Sequence, residues 1–87
     1  MQVQLLFSNI ANYVHTADEK WQIIKATRNK ILLNVGWVLT SNTLTDIERE
    51  AGLDYIQALK DIPQDFVNPD DVVFPTPPVF LENWVNL

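Results

Sequence analysis

Cysteine is absent from the chain, which excludes disulfides and thiolate metal sites and leaves no framework suited to an oxidising compartment; an intracellular origin is the expectation. Histidine occurs once, at His15, and a single imidazole with no thiolate beside it cannot assemble a typical zinc site without borrowing several carboxylates. It reads as a polar side chain just ahead of a helix cap. Glycine occurs only at Gly36 and Gly52, so there is no glycine-rich phosphate loop, and neither Ser8 nor Ser41 stands in a nucleophile-elbow setting. Six basic residues face eleven acidic ones, for a net charge of -5. Lys20, Lys25, Arg28, Lys30, Arg49 and Lys60 form no dense patch able to neutralise phosphates, which argues against nucleic acid binding. No apolar run reaches the roughly eighteen residues of a membrane span, and the start Met1-Gln2-Val3-Gln4 lacks the features of a signal peptide, so neither membrane insertion nor export is expected.

What the chain does have is apolar and aromatic surface. Of 87 residues, 47% are hydrophobic and three are Trp, in a chain short enough that its core must be thin. Self-association or a partner is expected to cover what the fold cannot.

Thr16-Ala17-Asp18-Glu19 matches a capping box, in which the Thr hydroxyl accepts from the backbone N–H three residues on and the Glu carboxylate returns the bond. Downstream, Trp21, Ile24, Arg28, Ile31 and Val35 recur at spacings of three and four, which predicts an amphipathic helix over residues 17–33. Asn34 and Gly36 tolerate the left-handed conformation that closes a helix, and Ser41-Asn42-Thr43 supplies loop chemistry. A second capping box, Thr45-Asp46-Ile47-Glu48, opens a helix whose expected buried face is Ile47, Ala51, Tyr55, Ala58, Leu59 and Ile62. Pro63 ends it. Gly52 in mid-helix costs about 1 kcal/mol relative to Ala, which makes sense where another backbone or an aromatic ring packs closely.

The resulting fold class is mainly α: one small domain over residues 1–87, built on an antiparallel helical hairpin at residues 17–62. Residues 1–15 are ambiguous, since Val3, Leu5 and Phe7 alternate like a strand while Leu6, Ile10, Tyr13 and Val14 fit a short helix; a short extended start followed by a helical turn is the preferred reading. Residues 64–87 read as a loop and an extended tail rich in proline and aromatics, because Pro75, Pro77 and Pro78 fix φ and cannot donate to a sheet ladder. That tail must lie along the hairpin or along a partner.

Catalytic chemistry is not indicated. Asp70-Asp71 reads as a solvated turn, and Asp46, Glu48, Glu50 and Asp54 spread around a helix start where anions favour the positive dipole end. No cofactor or metal is expected. Trp21 and Tyr55 stand at helical spacing, which favours internal packing with partner contact as the second reading. For Phe74 and Trp84 the two readings stand level, since they lie on segments with no fold of their own.

Taken as a whole, "RNKILLNVGW", "LTDIEREAGLDYIQALKDIP" and "PDDVVFPTPP" resemble the phage tail assembly chaperone family, whose carboxy-terminal module also recurs in tail fibre assembly proteins. That pattern is a basic helix ending in two leucines, an Asp-Trp-Thr turn, a Leu-Thr helix start, a Tyr-Arg-x-x-Leu-Arg-Asp-Ile-Pro stretch and a Trp-Pro-x-x-Pro tail. The resemblance covers residues 24–78. Arg28, Leu32, Leu33 and Trp37 fall on its first block, Leu44, Thr45, Tyr55, Leu59, Asp61, Ile62 and Pro63 on its second, and Phe74, Pro75 and Pro78 on its third. The chain departs from it at Gly36 (for Asp), Val38 (Thr), Gly52 (Trp), Ile56 (Arg), Lys60 (Arg) and Phe74 (Trp).

The resemblance implies a non-catalytic bacteriophage protein that binds a tail or tail fibre polypeptide and assists its folding, oligomerisation or attachment. It would act in the host cytoplasm during assembly, with retention in the virion tail as the alternative; a decoy for a host nucleic-acid-binding protein is a remoter reading of the acidic surface. The candidate partner-binding residues are Trp37, Tyr55, Phe74, Pro75, Pro78, Phe80 and Trp84. The expected partners are a phage tail or tail fibre protein and a second copy of the chain, with no nucleic acid and no membrane.

Overall fold

Thr16 and Thr45 each start a helix in the way their neighbours require. In a computed structural model that describes residues 16–85, both adopt extended backbone at the N-cap, and both capping boxes close. Glu19 N donates to Thr16 Oγ1 at 3.2 Å while Thr16 N donates to Glu19 Oε1 at 3.1 Å. The second box repeats the exchange between Thr45 and Glu48 at 3.1 and 3.0 Å. Each box satisfies helix donors that would otherwise lack an intrahelical partner, which fixes where the helix begins. The expectation for residues 1–15, His15 included, lies outside the described residues.

Helix α1 spans Ala17–Val35 and buries Ile24, Thr27, Ile31 and Val35 on one face. Thr27 is the buried polar residue of that face, and its hydroxyl donates to Ile23 O at 2.9 Å, so its burial leaves no donor unpaired. The expected left-handed stop does not form. Gly36 has φ -60 and ψ -21, and the chain tightens into a 3-10 turn over Gly36–Leu39 that delivers Val38 into the core. The turn is closed by Thr40 N and Ser41 N, which both donate to Trp37 O, and the guanidinium of Arg49 donates to Ser41 O, pinning the connection to the next helix.

Helix α2, Asp46–Lys60, packs against α1, and its buried residues are Gly52, Tyr55, Ile56 and Leu59. Of the expected face, Tyr55, Leu59 and Ile62 are buried, and the remaining three positions are corrected. Ile47 is 82% exposed, and Ala51 and Ala58 are half-buried, because the helix is rotated to put Gly52 rather than Ala51 against the other helix's trailing turn. The reason is steric: a Cβ at residue 52 would lie 2.8 Å from Val38 Cγ1 and 3.4 Å from Phe80 Cζ, so glycine there permits an approach no other residue allows. An aromatic ring and a branched side chain fill the space that the sequence marked as costly.

Pro63 does not simply terminate the helical path. Asp61 breaks it, and Pro63 sits in the first turn of a short helix α3, Ile62–Asp65, where a missing N–H is harmless. A 3-10 turn at Pro69–Asp71 follows, capped by the Asn68 side chain accepting from Asp70 N at 2.9 Å. It docks on α1, where Lys20 Nζ meets Asp70 Oδ1 at 2.7 Å. The end of the second helix thus returns to the start of the first, as an antiparallel hairpin demands.

The tail then runs back along the hairpin. Residues 72–78 form no helix or strand, Val72 and Pro78 at their ends have extended backbone, and seven residues in an extended run reach about 20 Å at about 3.1 Å each. From Lys20 to Val35, α1 is about 22 Å long at 1.5 Å per residue, so the strap travels its length. Extension stops earlier than the sequence suggests: Val79–Leu81 form a 3-10 turn and Glu82–Val85 a final helical turn, α4, packed on α1. Leu81 and Val85, one turn apart, are 0% and 1% exposed. Burying that pair is what winds the end of the tail into a helix, because an i, i+4 spacing puts both side chains on one face only in that conformation. No strand occurs among the described residues.

Candidate partner-binding surface

Three of the seven candidate residues converge where the hairpin turns. Trp37 stands in the 3-10 turn after α1, and since Val38 points into the core above Gly52, the Trp37 ring turns towards the strap. There it meets Phe80 edge-on, with centroids 6.3 Å apart and planes at 78°, and Trp84 of α4 at 5.3 Å and 50°. The first is a T-shaped arrangement and the second a tilted one, and favourable aromatic pairs at such centroid distances are worth about 0.5–1.5 kcal/mol beyond area burial. Trp84 remains 49% exposed and Val79 beside Phe80 is 83% exposed, so the cluster is anchored in the core at one end and open at the other.

Phe74, Pro75 and Pro78 are half-buried along the strap, spaced away from that cluster. Tyr55 sits elsewhere again. It is 4% exposed in the core, the internal-packing position that its helical spacing favours. Its hydroxyl and the Trp37 indole Nε1 are both buried with no hydrogen-bond partner among the described residues. Burial pushes the Tyr55 phenol up from 10.0 to about 12, because the phenolate would have to form in a poorly solvated site.

Some residues that shape this surface were not read from the sequence. Lys20 and Asp70 clamp the strap's starting point, yet they lie fifty residues apart and carry no local signal of pairing. Leu81 and Val85 seat its far end, and their one-turn spacing is a helical signal that follows directly on a proline-rich stretch favouring extension. Among the described residues no group of three or more His, Asp or Glu side chains is placed to hold a metal ion, and no helix is long and apolar enough to cross a membrane.

The helical hairpin thus carries its own tail segment, with a partly open aromatic face at the turn. A family model described as phage tail assembly chaperone protein matches residues 21–79, more than half of the 87, and the chain belongs to that family. Comparison with the curated proteins and with the solved structures gave no match. The matched region takes in α1, α2 and the extended strap but ends at Val79, so Phe80 and Trp84 lie beyond it. At residue 52, where the resemblance places a large helix Trp, the volume is taken up by Val38 and the Phe80 ring around the glycine.

Proposed function

We propose that the chain is a non-catalytic assembly factor that binds a phage tail or tail fibre polypeptide in the host cytoplasm and assists its folding, oligomerisation or attachment. The observation that carries this reading, beside the family, is the Trp37–Phe80–Trp84 cluster with its exposed flank at Trp84 and Val79. Rigid aromatic rings with one face packed and the other open are the anchors that protein interfaces use most, since they bring large contact area at little conformational cost. The net charge of -5 discourages phosphate backbones as partners.

The test is coexpression with the tail and tail fibre polypeptides encoded beside this chain in its source genome. A complex, or a gain in the soluble fraction of the partner, supports the reading, and Trp84→Ala is expected to weaken that complex about tenfold or more while leaving the helical signal intact. A partner that neither co-purifies nor gains solubility overturns it. Mass spectrometry of purified particles separates a transient role, in which the chain is missing from the particle, from a permanent place in the tail.

A further inference from the structure

Each helix of the hairpin has an outward face that the rest of the fold leaves uncovered. On α1 the buried set Ile24, Ile31 and Val35 puts Gln22, Ala26, Asn29 and Leu33 on the opposite side of the helix, and all four are exposed. Leu33 is 83% exposed at the end of that stripe, and Lys25 and Lys30 flank it on either side. From Lys20 to Val35 the helix carries no acidic residue. On α2 the side away from Gly52, Tyr55 and Leu59 carries Ile47, Glu50, Asp54 and Gln57, all exposed, with Leu53 exposed along one edge and no basic residue in the stripe. Lys25, Lys30, Glu50 and Asp54 form no ion pair among the described residues.

The two faces are complements of each other in charge and in spacing. Measured back along α1 from Leu33, Lys30 lies about 4.5 Å and Lys25 about 12 Å away at 1.5 Å per residue. Measured forward along α2 from Ile47, Glu50 lies about 4.5 Å and Asp54 about 10.5 Å away, a mismatch well within a lysine's reach. Only an antiparallel arrangement brings these series together, because in the parallel sense the lysines precede Leu33 while the carboxylates follow Ile47. We infer that copies of the chain associate side by side, the outward face of α1 in one copy seated antiparallel on the outward face of α2 in the next, with Leu33 against Ile47 and Lys30 and Lys25 alongside Glu50 and Asp54. Like faces repel, since α1 on α1 sets lysine against lysine and α2 on α2 sets carboxylate against carboxylate, so the contact joins unlike faces. Trp37, Phe80 and Trp84 belong to neither face. The contact therefore leaves the aromatic cluster as it is and stands independently of the role proposed above.

Sedimentation of the purified chain in low-salt buffer tests this. The paired faces are small, so the contact is weak, and a rise in mass above the monomer is expected between about 10 and 500 µM chain. Lys25→Glu with Lys30→Glu, and separately Glu50→Lys with Asp54→Lys, are each expected to weaken the association about tenfold or more at unchanged helical signal, as all four positions are exposed. Mixing the two variants in equal amounts is expected to restore it, since each face then meets its complement. Because the chain has no cysteine, mixing Leu33→Cys with Ile47→Cys chains reports the alignment: oxidation is expected to yield the disulfide between the two kinds of chain in preference to either symmetrical one. A parent chain that keeps the monomer mass throughout that range leaves these faces to another partner and overturns the inference. So do charge variants that each associate alone as the parent does, and thiols that cross-link without preference.

Discussion

Replacing Tyr55 by Phe is expected to make the free chain more stable, although it deletes a polar group from a packed site. The tyrosine ring is 4% exposed and its hydroxyl has no partner among the described residues, so folding strips water from that group and returns nothing. Such a group costs about 1–3 kcal/mol, and removing the oxygen recovers this, less a small loss of packing where one atom has gone. A net gain of about 0.5–2 kcal/mol follows, and for a chain of this size each kcal/mol moves the melting temperature by about 4–8 °C. The alkaline limb supplies an independent check. With its folded-state pKa raised from 10.0 to about 12, Tyr55 stabilises the fold fully below pH 10, and that contribution drains away as the pH rises from 10 through 12 and the unfolded phenol ionises first. The Phe variant should lack this part of the decline. Thermal and urea denaturation of both chains, followed by circular dichroism at neutral pH and from pH 9 to 12, measure both effects. A Phe variant less stable than the parent by about 1 kcal/mol would mean that the hydroxyl is well bonded. Identical alkaline curves would take Tyr55 out of the titration.

Leu59→Ala is expected to cost about 2–5 kcal/mol, since Leu59 is fully buried, whereas Ile47→Ala on the exposed side of α2 should fall within about 0.5 kcal/mol of the parent in the same urea titrations. Gly52→Ala should destabilise despite a helix-propensity gain of about 1 kcal/mol, because its Cβ meets Val38 Cγ1 at 2.8 Å; adding Val38→Ala should lower the melting temperature less than the two single changes summed. Truncation after Asp71 is expected to reduce the 222 nm signal by far more than the few helical residues removed, as Leu81 and Val85 leave the core with it; a hairpin that keeps its helicity would show that the strap contributes nothing to folding. Lys20→Ala should lower stability by about 1 kcal/mol or less, and the difference should shrink at high salt, since the ion pair with Asp70 is partly exposed.

The parts of the fold legible in the sequence are those whose causes are local. Both capping boxes rest on bonds between residues three apart, and both helix starts were placed correctly at Thr16 and Thr45. The hairpin followed from two amphipathic stretches joined by a connection of roughly ten residues. Tyr55, Leu59 and Ile62 were legible as inward-facing, but the edge of that stripe was not, because Ile47, Ala51 and Ala58 continue the same series and Gly52 contributes no hydrophobicity to a pattern. Only the approach of Val38 and Phe80, residues outside the helix, decides between them. The strap was anticipated as lying on the hairpin or on a partner; that it lies on the hairpin depends on contacts between residues about fifty positions apart, Lys20 with Asp70 and Trp37 with Trp84, which leave no periodic trace. The convergence of Trp37, Phe80 and Trp84 was invisible for the same reason, though each was singled out for its ring.

The placement of Leu81 and Val85 also sets the timing of folding during synthesis. Helices α1 and α2 can be drawn together once residue 60 has emerged, but their shared trough has no lining on one side until residue 85 follows. At about 5–20 residues per second, translation of those 25 residues leaves the nascent rods uncovered for about one to five seconds.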